Sequence, residues 1–532
     1  MKRSFPFLWP LIFLLAILLL QAGGRIAPQD EETTFRTTAH LIERGELTIG
    51  REYILQSPQT FPNFLPRHQR DILTTWAGPG LDGRIYPLYP QGQALLQAPL
   101  YLIGRTLGGW QPTLFSYALA RVTVAMLNPV LLALTSWLLM LFGSRLGFSS
   151  RLSIGLGFAY AFGTLALAYT HTHFGEPALA LMYLSAAYAL FCARDVDARS
   201  RRWLILAGVF LGVAMLIRVR ALIVIPAFLI YAFVTQRRRS NLLAFIIPIG
   251  LAAIWIAGWN MFRFGSPLQT GDSLIVTGIG FNTPLLFGVY GLLLSPGKGL
   301  FVYNPIALVG VIGVIRMFRQ RRAEALLCGL IALTLLLFHA VYDLWSGGWN
   351  WGPRFLLPML PFLLLSTGDL FSSRHPRLVR AIVVAACGLG IFINLPAALV
   401  DHARYLSAYS EIDPDHYLDQ SLTQFDRSPI VQQWPMVAEV ASMYTRAETW
   451  QAARQTIIDH QAAYTGGSSI DALSSELLWA DEFMRLNTPD FWFVHLWLLG
   501  VSPIWIGLSV VLLLALIFIS GRKIVQRLKD EG

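Results

Sequence analysis

Charged residues are scarce in this chain, and their scarcity excludes the common soluble classes. Only 14% of the 532 residues are Asp, Glu, Lys or Arg, and 55% are hydrophobic. A soluble globular protein has roughly 25% charged and about 45–50% apolar residues. A disordered chain is poor in apolar residues, which is the opposite of what is found here. The composition therefore predicts a polytopic membrane protein.

Cysteine is nearly absent, and internal repeats are not visible. The three cysteines, Cys192, Cys328 and Cys387, all fall inside apolar runs, so they predict neither a disulfide framework nor a zinc site. The two halves of the chain are not similar to each other. This lack of similar halves disfavours the repeat architecture of many transporters.

Long apolar runs occupy most of the sequence. Because a helix needs about 20 apolar residues to cross the hydrocarbon core, we predict an all-α membrane protein with about twelve transmembrane helices. The predicted spans lie at residues 5–20, 112–142, 152–170, 177–193, 203–217, 221–235, 241–262, 301–316, 323–341, 355–371, 380–400 and 491–519. The first span begins like a signal peptide, but no clear small-residue cleavage site follows, so we expect it to stay attached.

Basic residues set the predicted orientation. If the N-terminus is cytoplasmic and the spans alternate, the inward segments are short and rich in arginine, as the positive-inside rule requires. These segments are 145–151, 194–202, 236–240, 316–322, 374–380 and the tail 522–532. Both termini are then cytoplasmic. The net charge of +10 arises mainly from these inward arginines, which set the orientation, so it does not indicate a nucleic-acid partner.

Three long segments are predicted on the outer side, at 23–111, 263–300 and 401–490. So much chain outside the membrane favours an enzyme over a channel or transporter. We interpret 401–490 as a mostly helical segment that could recognise an acceptor, followed by a last transmembrane helix and tail in 491–532.

The first outer loop opens with an acidic cluster. Residues 29–45 read QDEETTFRTTAHLIERG, in which Phe35, Ala39 and Ile42 recur at helical spacing and Gly45 ends the helix. Asp30 and Glu31 lie just before this helix, where its dipole favours negative charge. A partly desolvated carboxylate there can also act as a general base or hold a cation. Position alone leaves both interpretations open.

A second stretch of the same loop, residues 82–96, reads DGRIYPLYPQGQALL. Asp82 and Gly83 predict a turn, and the prolines keep the backbone around Tyr86 extended. Residues 93–107 then predict an amphipathic helix along the membrane interface.

Other outer residues suggest anion or metal binding. His171, His173 and Glu176 could ligate a metal, although their spacing matches no standard zinc motif. Arg218 and Arg220 lie between two short apolar runs, where arginine either binds a phosphate or reaches the lipid headgroups.

Two further stretches carry candidate residues. Lys298 lies between two glycines, which allows close approach to an anion, but the Walker pattern of nucleotide-binding loops is absent. Residues 343–355 read DLWSGGWNWGPRF. Tryptophan is enriched at membrane interfaces, and it also stacks on sugar rings.

These features together resemble the GT-C superfamily, the polytopic glycosyltransferases that use polyprenyl-phosphate sugars. Its members include the protein O-mannosyltransferases and the lipid A aminoarabinose transferases, and the similarity is to a bacterial branch. The resemblance rests on the first span followed by Asp30 and Glu31, the short helix ending at Gly45, the Tyr-Pro-x-x-Pro stretch and the GGWNWGPR segment at 347–354. It covers residues 1–400, and the lysine that relatives often carry in the second stretch is absent from 85–88.

The resemblance implies a GT-C-like catalytic region over residues 1–400 in a bacterial inner membrane. It implies sugar transfer from a polyprenyl-phosphate donor to a lipid, glycan or protein acceptor on the extracytoplasmic side. Asp30, with Glu31 second, would be catalytic. The predicted substrate-binding residues are Tyr86, Glu176, Arg218, Arg220, Lys298, Asp343, Trp349 and Arg354, with Arg354 on the lipid phosphate and Asp343 on the acceptor or sugar.

Alternatives remain open at this point. A transporter or flippase of lipid-linked sugars also needs outer arginines, but not the acidic pair after the first span. An O-antigen ligase or polymerase would carry its important residues in 401–490. No metal ligand is assigned, and a divalent cation stays open as a cofactor.

Overall fold

The computed structural model describes residues 7–27, 30–50, 77–194, 200–236, 241–269, 280–372 and 376–530. Almost all regular structure in these ranges is helical. The helices of the first half are α1 (Leu8–Leu20), α2 (Asp30–Arg44), α3 (Gly92–Gly108), α4 (Leu114–Ala125), α5 (Leu127–Arg145), α6 (Ser150–Gly163), α7 (Glu176–Cys192), α8 (Ser200–Ile217), α9 (Ile225–Thr235) and α10 (Leu242–Phe264).

The second half is built in the same way. Its helices are α11 (Leu285–Leu294), α12 (Leu300–Tyr303), α13 (Pro305–Gln320), α14 (Arg322–Ala340), α15 (Leu360–Thr367), α16 (Pro376–Asn394), α17 (Ala403–Ile412), α18 (Tyr417–Thr423), α19 (Pro429–Met443), α20 (Ala447–Ala462), α21 (Ile470–Asn487), α22 (Trp492–Leu498) and α23 (Pro503–Asp530). Short 3₁₀ helices cover Leu165–His171, Val219–Val224, Arg354–Met359, Gly368–Ser372 and Pro396–Ala398.

The helices confirm the all-α polytopic class. Within the described residues, seven helices are long and apolar enough to cross a membrane, and an eighth is counted if α6 and the 3₁₀ helix after it, bent by 58°, form one span. The seven are Leu114–Arg145, Ser200–Ile217, Leu242–Phe264, Arg322–Ala340, Arg354–Phe371, Arg377–Asn394 and Pro503–Asp530. Four shorter apolar helices accompany them. This count does not confirm the predicted number of about twelve.

Two predicted stretches are divided differently in the structure. The span predicted at 491–519 is broken after α22, where Gly500 takes a φ of +91°, and a new helix begins at Pro503. The segment predicted as outer chain at 263–300 contains the apolar helix α11. With 10 residues, α11 is shorter than the roughly 20 residues that a helix needs to cross the hydrocarbon core. The inward arginines at 237–239 lie outside the described residues.

The two helices predicted in the first outer loop are confirmed. Helix α2 runs from Asp30 to Arg44, so the acidic cluster forms its first turn instead of preceding it. Gly45 ends the helix with a φ of +71°, a left-handed conformation that glycine adopts without steric cost. Helix α3 includes the predicted 93–107 helix and leaves Leu95 and Leu107 exposed. Between them, β1 (Ala77–Pro79) pairs antiparallel with β2 (Ile85–Pro87).

Close packing brings the first loop to the end of α8. Gly92, the first residue of α3, touches the backbone of α8, because a Cβ added there would lie 2.5 Å from the carbonyl carbon of Leu216. The start of α3 is therefore held beside Arg218, which follows α8 directly. Helix α7 packs against the 3₁₀ helix Arg354–Met359, and its first residue, Glu176, lies 3.8 Å from Arg354. The beginnings of several helices thus meet at one place.

Residues 401–490 contain five of the helices, α17 to α21, and they contact the first loop. Phe35 and Ala39 of α2 share one buried apolar cluster with Ile470, Leu473 and Leu477 of α21. The last outer segment is therefore part of the packing that holds α2 in place.

Candidate active site

The carboxylate of Asp30 lies at the centre of a buried charged cluster. Asp30 is only 4% exposed. Its Oδ1 accepts a hydrogen bond of 2.7 Å from the hydroxyl of Tyr89. Its Oδ2 lies 3.4 Å from Nη2 of Arg218 and 3.5 Å from Nη1 of Arg354. Four separate segments of the chain therefore meet at one carboxylate.

Aromatic rings support the two arginines. The guanidinium carbon of Arg218 lies 3.5 Å from the ring centroid of Tyr89. That of Arg354 lies 4.5 Å from the ring of Phe174 and 4.8 Å from that of Phe355. Because burying a charge is costly unless it is paired, these contacts and Asp30 together stabilise two buried cations.

Glu176 lies on the other side of Arg354. It begins α7 and is 5% exposed, and its Oε1 is 3.8 Å from Nε of Arg354. The turn before it is fixed by Asn128, whose Nδ2 donates to the carbonyl oxygens of Thr172 at 2.8 Å and Phe174 at 3.1 Å. Arg354 therefore has a carboxylate on each side.

Glu31 contacts the backbone instead of the arginines. Its Oε1 accepts from the N–H of His173 at 2.7 Å, and its Oε2 accepts from the N–H of Ala27 at 2.9 Å. Burial raises the pKa of Glu31 to about 7, although both hydrogen bonds act in the opposite direction. Glu31 thus ties the start of α2 to the 171–175 turn.

Lys298 is buried against backbone oxygens. Its Nζ donates to the carbonyl oxygen of Gly348 at 3.0 Å and to that of Asn350. Burial lowers the pKa of Lys298 well below its usual value, and the nearby charge of Arg354 lowers it further. Among the described residues Lys298 forms no ion pair, and it does not contact Asp30.

Arg220 lies next to this cluster without joining the carboxylates. It is half-buried, and its guanidinium carbon is 4.7 Å from the ring of Phe355 and 5.6 Å from that of Tyr342. Phe355 therefore contacts both Arg220 and Arg354. Within the part of the chain that the structure describes, Arg220 has no carboxylate partner.

Two predicted residues of the 343–355 segment have other partners. Asp343 accepts hydrogen bonds of 2.6 and 2.8 Å from backbone N–H groups at 280 and 282. The indole N–H of Trp349 donates to the hydroxyl of Tyr417 at 3.2 Å. The first contact fixes a neighbouring loop, and the second joins the segment to α18. Neither side chain reaches Asp30.

Tyr86 also lies outside the cluster. Its hydroxyl donates to Asp82 at 2.8 Å, and its ring packs edge-on against Trp259 at 5.9 Å. Arg263 donates to the carbonyl oxygen of Pro87, the residue after Tyr86. The tyrosine at the carboxylate is Tyr89, in the same stretch but three residues later.

A second buried network of ion pairs is centred on Arg25. Arg25 forms ion pairs with Asp401 and Asp490, the latter at 2.8 Å. Asp490 also lies 3.3 Å from Nδ1 of His171. Burial raises the pKa of Asp490, but Arg25 and His171 more than offset this and lower it below its usual range. The network joins the end of α1 to both ends of the last outer segment.

Helix α2 is held by further ion pairs. Arg121 of α4 lies 2.8 Å from Glu32 and 2.7 Å from Asp481 of α21. Arg36 pairs with Glu32 at 2.6 Å. Sequence reasoning missed both networks, because the partners are far apart in the chain. One signal was available: Arg121 lies inside the predicted span 112–142, where a charge is costly and needs a partner.

No standard metal cluster appears in the described ranges: they contain no group of three or more His, Cys, Asp and Glu side chains placed to hold a metal ion. His171 pairs with Asp490, as above, and the ring nitrogens of His173 have no partner in these ranges.

One known family matches part of the chain. Residues 107–259 match the family model of the dolichyl-phosphate-mannose-protein mannosyltransferases. The match confirms the resemblance to GT-C glycosyltransferases over these residues, which are less than half of the chain. This mannosyltransferase-like segment supplies Glu176, Arg218 and Arg220, whereas Asp30 and Arg354 lie outside it.

Several solved structures align with the chain at low sequence identity. The ArnT of Cupriavidus metallidurans bound to undecaprenyl phosphate has a TM-score of 0.47 and 14% identity, over 89% of this chain and 85% of that one. Its apo form has a TM-score of 0.44 and 12% identity, over 92% and 77%. An oligosaccharyltransferase of Archaeoglobus fulgidus, in complex with Zn and sulfate, has a TM-score of 0.44 and 14% identity, over 79% and 57%. No curated protein sequence matches the chain.

Proposed function

We propose that the protein transfers a sugar from a polyprenyl phosphate to an acceptor, with Asp30 as the general base and Arg218 and Arg354 on the donor phosphate. One observation carries this proposal: a single buried carboxylate lies 3.4 and 3.5 Å from two guanidinium groups. The mannosyltransferase-like segment, which contributes Arg218, supports the same chemistry.

The reaction needs a base and a site for an anionic leaving group. The acceptor oxygen attacks the anomeric carbon, the bond from that carbon to the phosphate oxygen breaks, and the electron pair stays on the phosphate. Guanidinium groups bind phosphate through paired N–H donors, and they stabilise the charge that grows on the leaving group. A single displacement of this kind inverts the anomeric centre.

The arginines also influence the base. In the structure, the carboxylate of Asp30 forms ion pairs with both guanidinium groups and accepts a hydrogen bond from Tyr89. A phosphate bound to Arg218 and Arg354 competes with Asp30 for their N–H groups, which leaves the carboxylate freer to take the acceptor proton. Donor binding and base activation are therefore linked through the same two side chains.

The other predicted residues take supporting parts. Glu31 positions α2 through its two backbone hydrogen bonds. Arg220 adds positive charge beside Phe355, and Lys298 holds the backbone of Gly348 and Asn350 through its hydrogen bonds. The acceptor is a lipid, a glycan or a protein, and the site faces the extracytoplasmic side of a bacterial inner membrane.

The test is the substitution Asp30→Asn, with Asp426→Asn as the matched control, because the side chain of Asp426 is 79% exposed. Membranes that contain each variant receive a polyprenyl-phosphate hexose labelled in the sugar, and the label leaving the lipid fraction is measured. Loss of a general base should slow transfer by about 100-fold or more, whereas the control should match the wild type.

Two results would contradict the proposal. Transfer by the Asp30→Asn variant at the wild-type rate would remove Asp30 from the chemistry. Movement of the intact lipid-linked sugar between the two leaflets, without transfer by the wild type, would favour the flippase alternative.

A further inference from the structure

Three buried polar atoms around Arg354 have no hydrogen-bond partner among the described residues: Oδ1 of Asn350, Oε2 of Glu176 and Nε of Arg354. The three residues are only 2%, 5% and 8% exposed, respectively. Buried polar atoms are nearly always hydrogen-bonded, so a group of exceptions at a candidate active site needs an explanation.

The orientation of Asn350 is fixed by its own contacts. Its Nδ2 donates to the carbonyl oxygen of Gly352 at 2.7 Å and to the hydroxyl of Tyr169 at 3.3 Å. The reverse orientation would place two carbonyl oxygens against each other. The atom left without a partner is therefore the amide oxygen, which can only accept a hydrogen bond.

Two of the unpaired atoms border a common small space. A Cβ built on Gly347 would lie 2.8 Å from Oδ1 of Asn350 and 3.0 Å from Nε of Arg354. The missing side chain at Gly347 therefore keeps that space open. The third belongs to Glu176, whose other carboxylate oxygen, Oε1, lies 3.8 Å from the same Nε.

The chemistry of these atoms restricts what can bind. Two of them accept hydrogen bonds and one donates, so the ligand has to donate twice and accept once. A phosphate oxygen would meet two acceptors and be repelled. An apolar group would leave all three atoms unpaired, which is costly. Two neighbouring hydroxyl groups satisfy all three, and so does a water molecule that such groups would displace.

We propose that Asn350 and Glu176 accept hydrogen bonds from two hydroxyl groups of the donor sugar, while Nε of Arg354 donates to one of them. This inference rests on the proposed sugar transfer. It adds that the same arginine faces the donor phosphate with Nη1 and the sugar with Nε. Asn350 and Glu176 are then the residues that select the sugar.

The test compares a polyprenyl-phosphate hexose with its deoxy analogues, each lacking one hydroxyl, in the wild type and in Glu176→Gln. Glu439→Gln is the matched control, because the side chain of Glu439 is 53% exposed. A site that hydrogen-bonds a hydroxyl rejects the analogue without it, here by about 10- to 100-fold in kcat/KM. We expect this loss for at least one analogue in the wild type and in the control. The loss should shrink to less than about threefold in Glu176→Gln, because the amide oxygen faces the donor Nε of Arg354 and the NH2 group, which cannot accept, takes the place of Oε2.

The possible outcomes separate this inference from the proposed function. If the parent hexose is transferred but every deoxy analogue reacts equally well, sugar transfer stands and the hydroxyl site is refuted. An unchanged hydroxyl preference in Glu176→Gln also refutes it. If an amino analogue reacts faster than the hexose, and only when Glu176 is intact, the site binds a cation instead. If no lipid-linked sugar reacts, both proposals fail. Should Glu176→Gln not fold, Asn350→Ala provides the same comparison for the second acceptor atom.

Discussion

Replacing Arg25 by methionine tests whether the buried network between α1 and the last outer segment stabilises the protein. Arg25 is 2% exposed and pairs with Asp401 and Asp490, which are 6% and 0% exposed. Methionine has similar length but no charge. The substitution therefore leaves two buried carboxylates without their shared cation.

The expected cost follows from this burial. Removing one partner of a buried ion pair costs about 3–5 kcal/mol, because the remaining charge stays desolvated. The matched control is Arg427→Met, since Arg427 lies 3.7 Å from Asp426 and both side chains are at least half exposed. An exposed pair of this kind contributes about 0–1 kcal/mol. The two variants should thus differ by several kcal/mol.

The dependence on pH gives a second signature. Arg25 helps to hold the pKa of Asp490 below its usual range, so the pair contributes stability above the ordinary carboxyl pKa and loses it as the pH falls below that value. Without Arg25, burial raises the pKa of Asp490, and the carboxylate protonates more easily. The stability difference from the wild type should therefore be largest above neutral pH and shrink towards pH 5.

Unfolding can be followed in detergent with a fluorophore that reacts with thiols, because Cys192 and Cys328 are buried. Arg25→Met should unfold at a clearly lower temperature than Arg427→Met at pH 8. Adding Asp490→Asn to Arg25→Met should restore part of the loss. Equal unfolding temperatures for the two arginine variants would refute the reasoning.

Three further substitutions probe the site. Gly347→Ala and Gly348→Ala both place a side chain at positive φ, +75° and +81°, which costs about 1–2 kcal/mol each. Only the methyl at 347 would press on Asn350 and Arg354, at 2.8 and 3.0 Å, so this variant alone should lose about 1–3 kcal/mol more and most of its transfer rate. In the wild type, the free energy of unfolding should fall between pH 4.5 and about 7, because burial favours the protonated form of Glu31 and this stabilisation is lost as the pH rises through its folded pKa. Glu31→Gln should remove this fall. The fall should be up to about 3 kcal/mol in the wild type.

Each of these predictions can fail clearly. If the two glycine variants transfer sugar at equal rates, the space beside Gly347 has no part in the reaction. If the unfolding temperature of Glu31→Gln varies with pH in that window as strongly as that of the wild type, Glu31 is not the titrating group.

Some features of the site could be predicted from local sequence. Asp30 opens a helix whose apolar spacing and terminal glycine are readable in residues 30–45. Arg218 was a candidate because a charge beside an apolar run is costly and has to be paired. Arg354 and Glu176 were candidates through the family resemblance. The structure brings these four residues together, while Asp343, Trp349 and Tyr86 have partners elsewhere. Their side-chain directions depend on turns that residue type alone does not define.

The sequence by itself determined the class of the protein and most of its helices, because hydrophobicity and helical periodicity act over short distances along the chain. It also singled out most of the charges that meet at Asp30. Only the tertiary structure decided which partner each charge has. Arg25 and Asp490 are 465 residues apart, and the free oxygen of Asn350 is identified by two acceptors that fold against its nitrogen. Such contacts arise from packing between distant segments, and no local pattern records them.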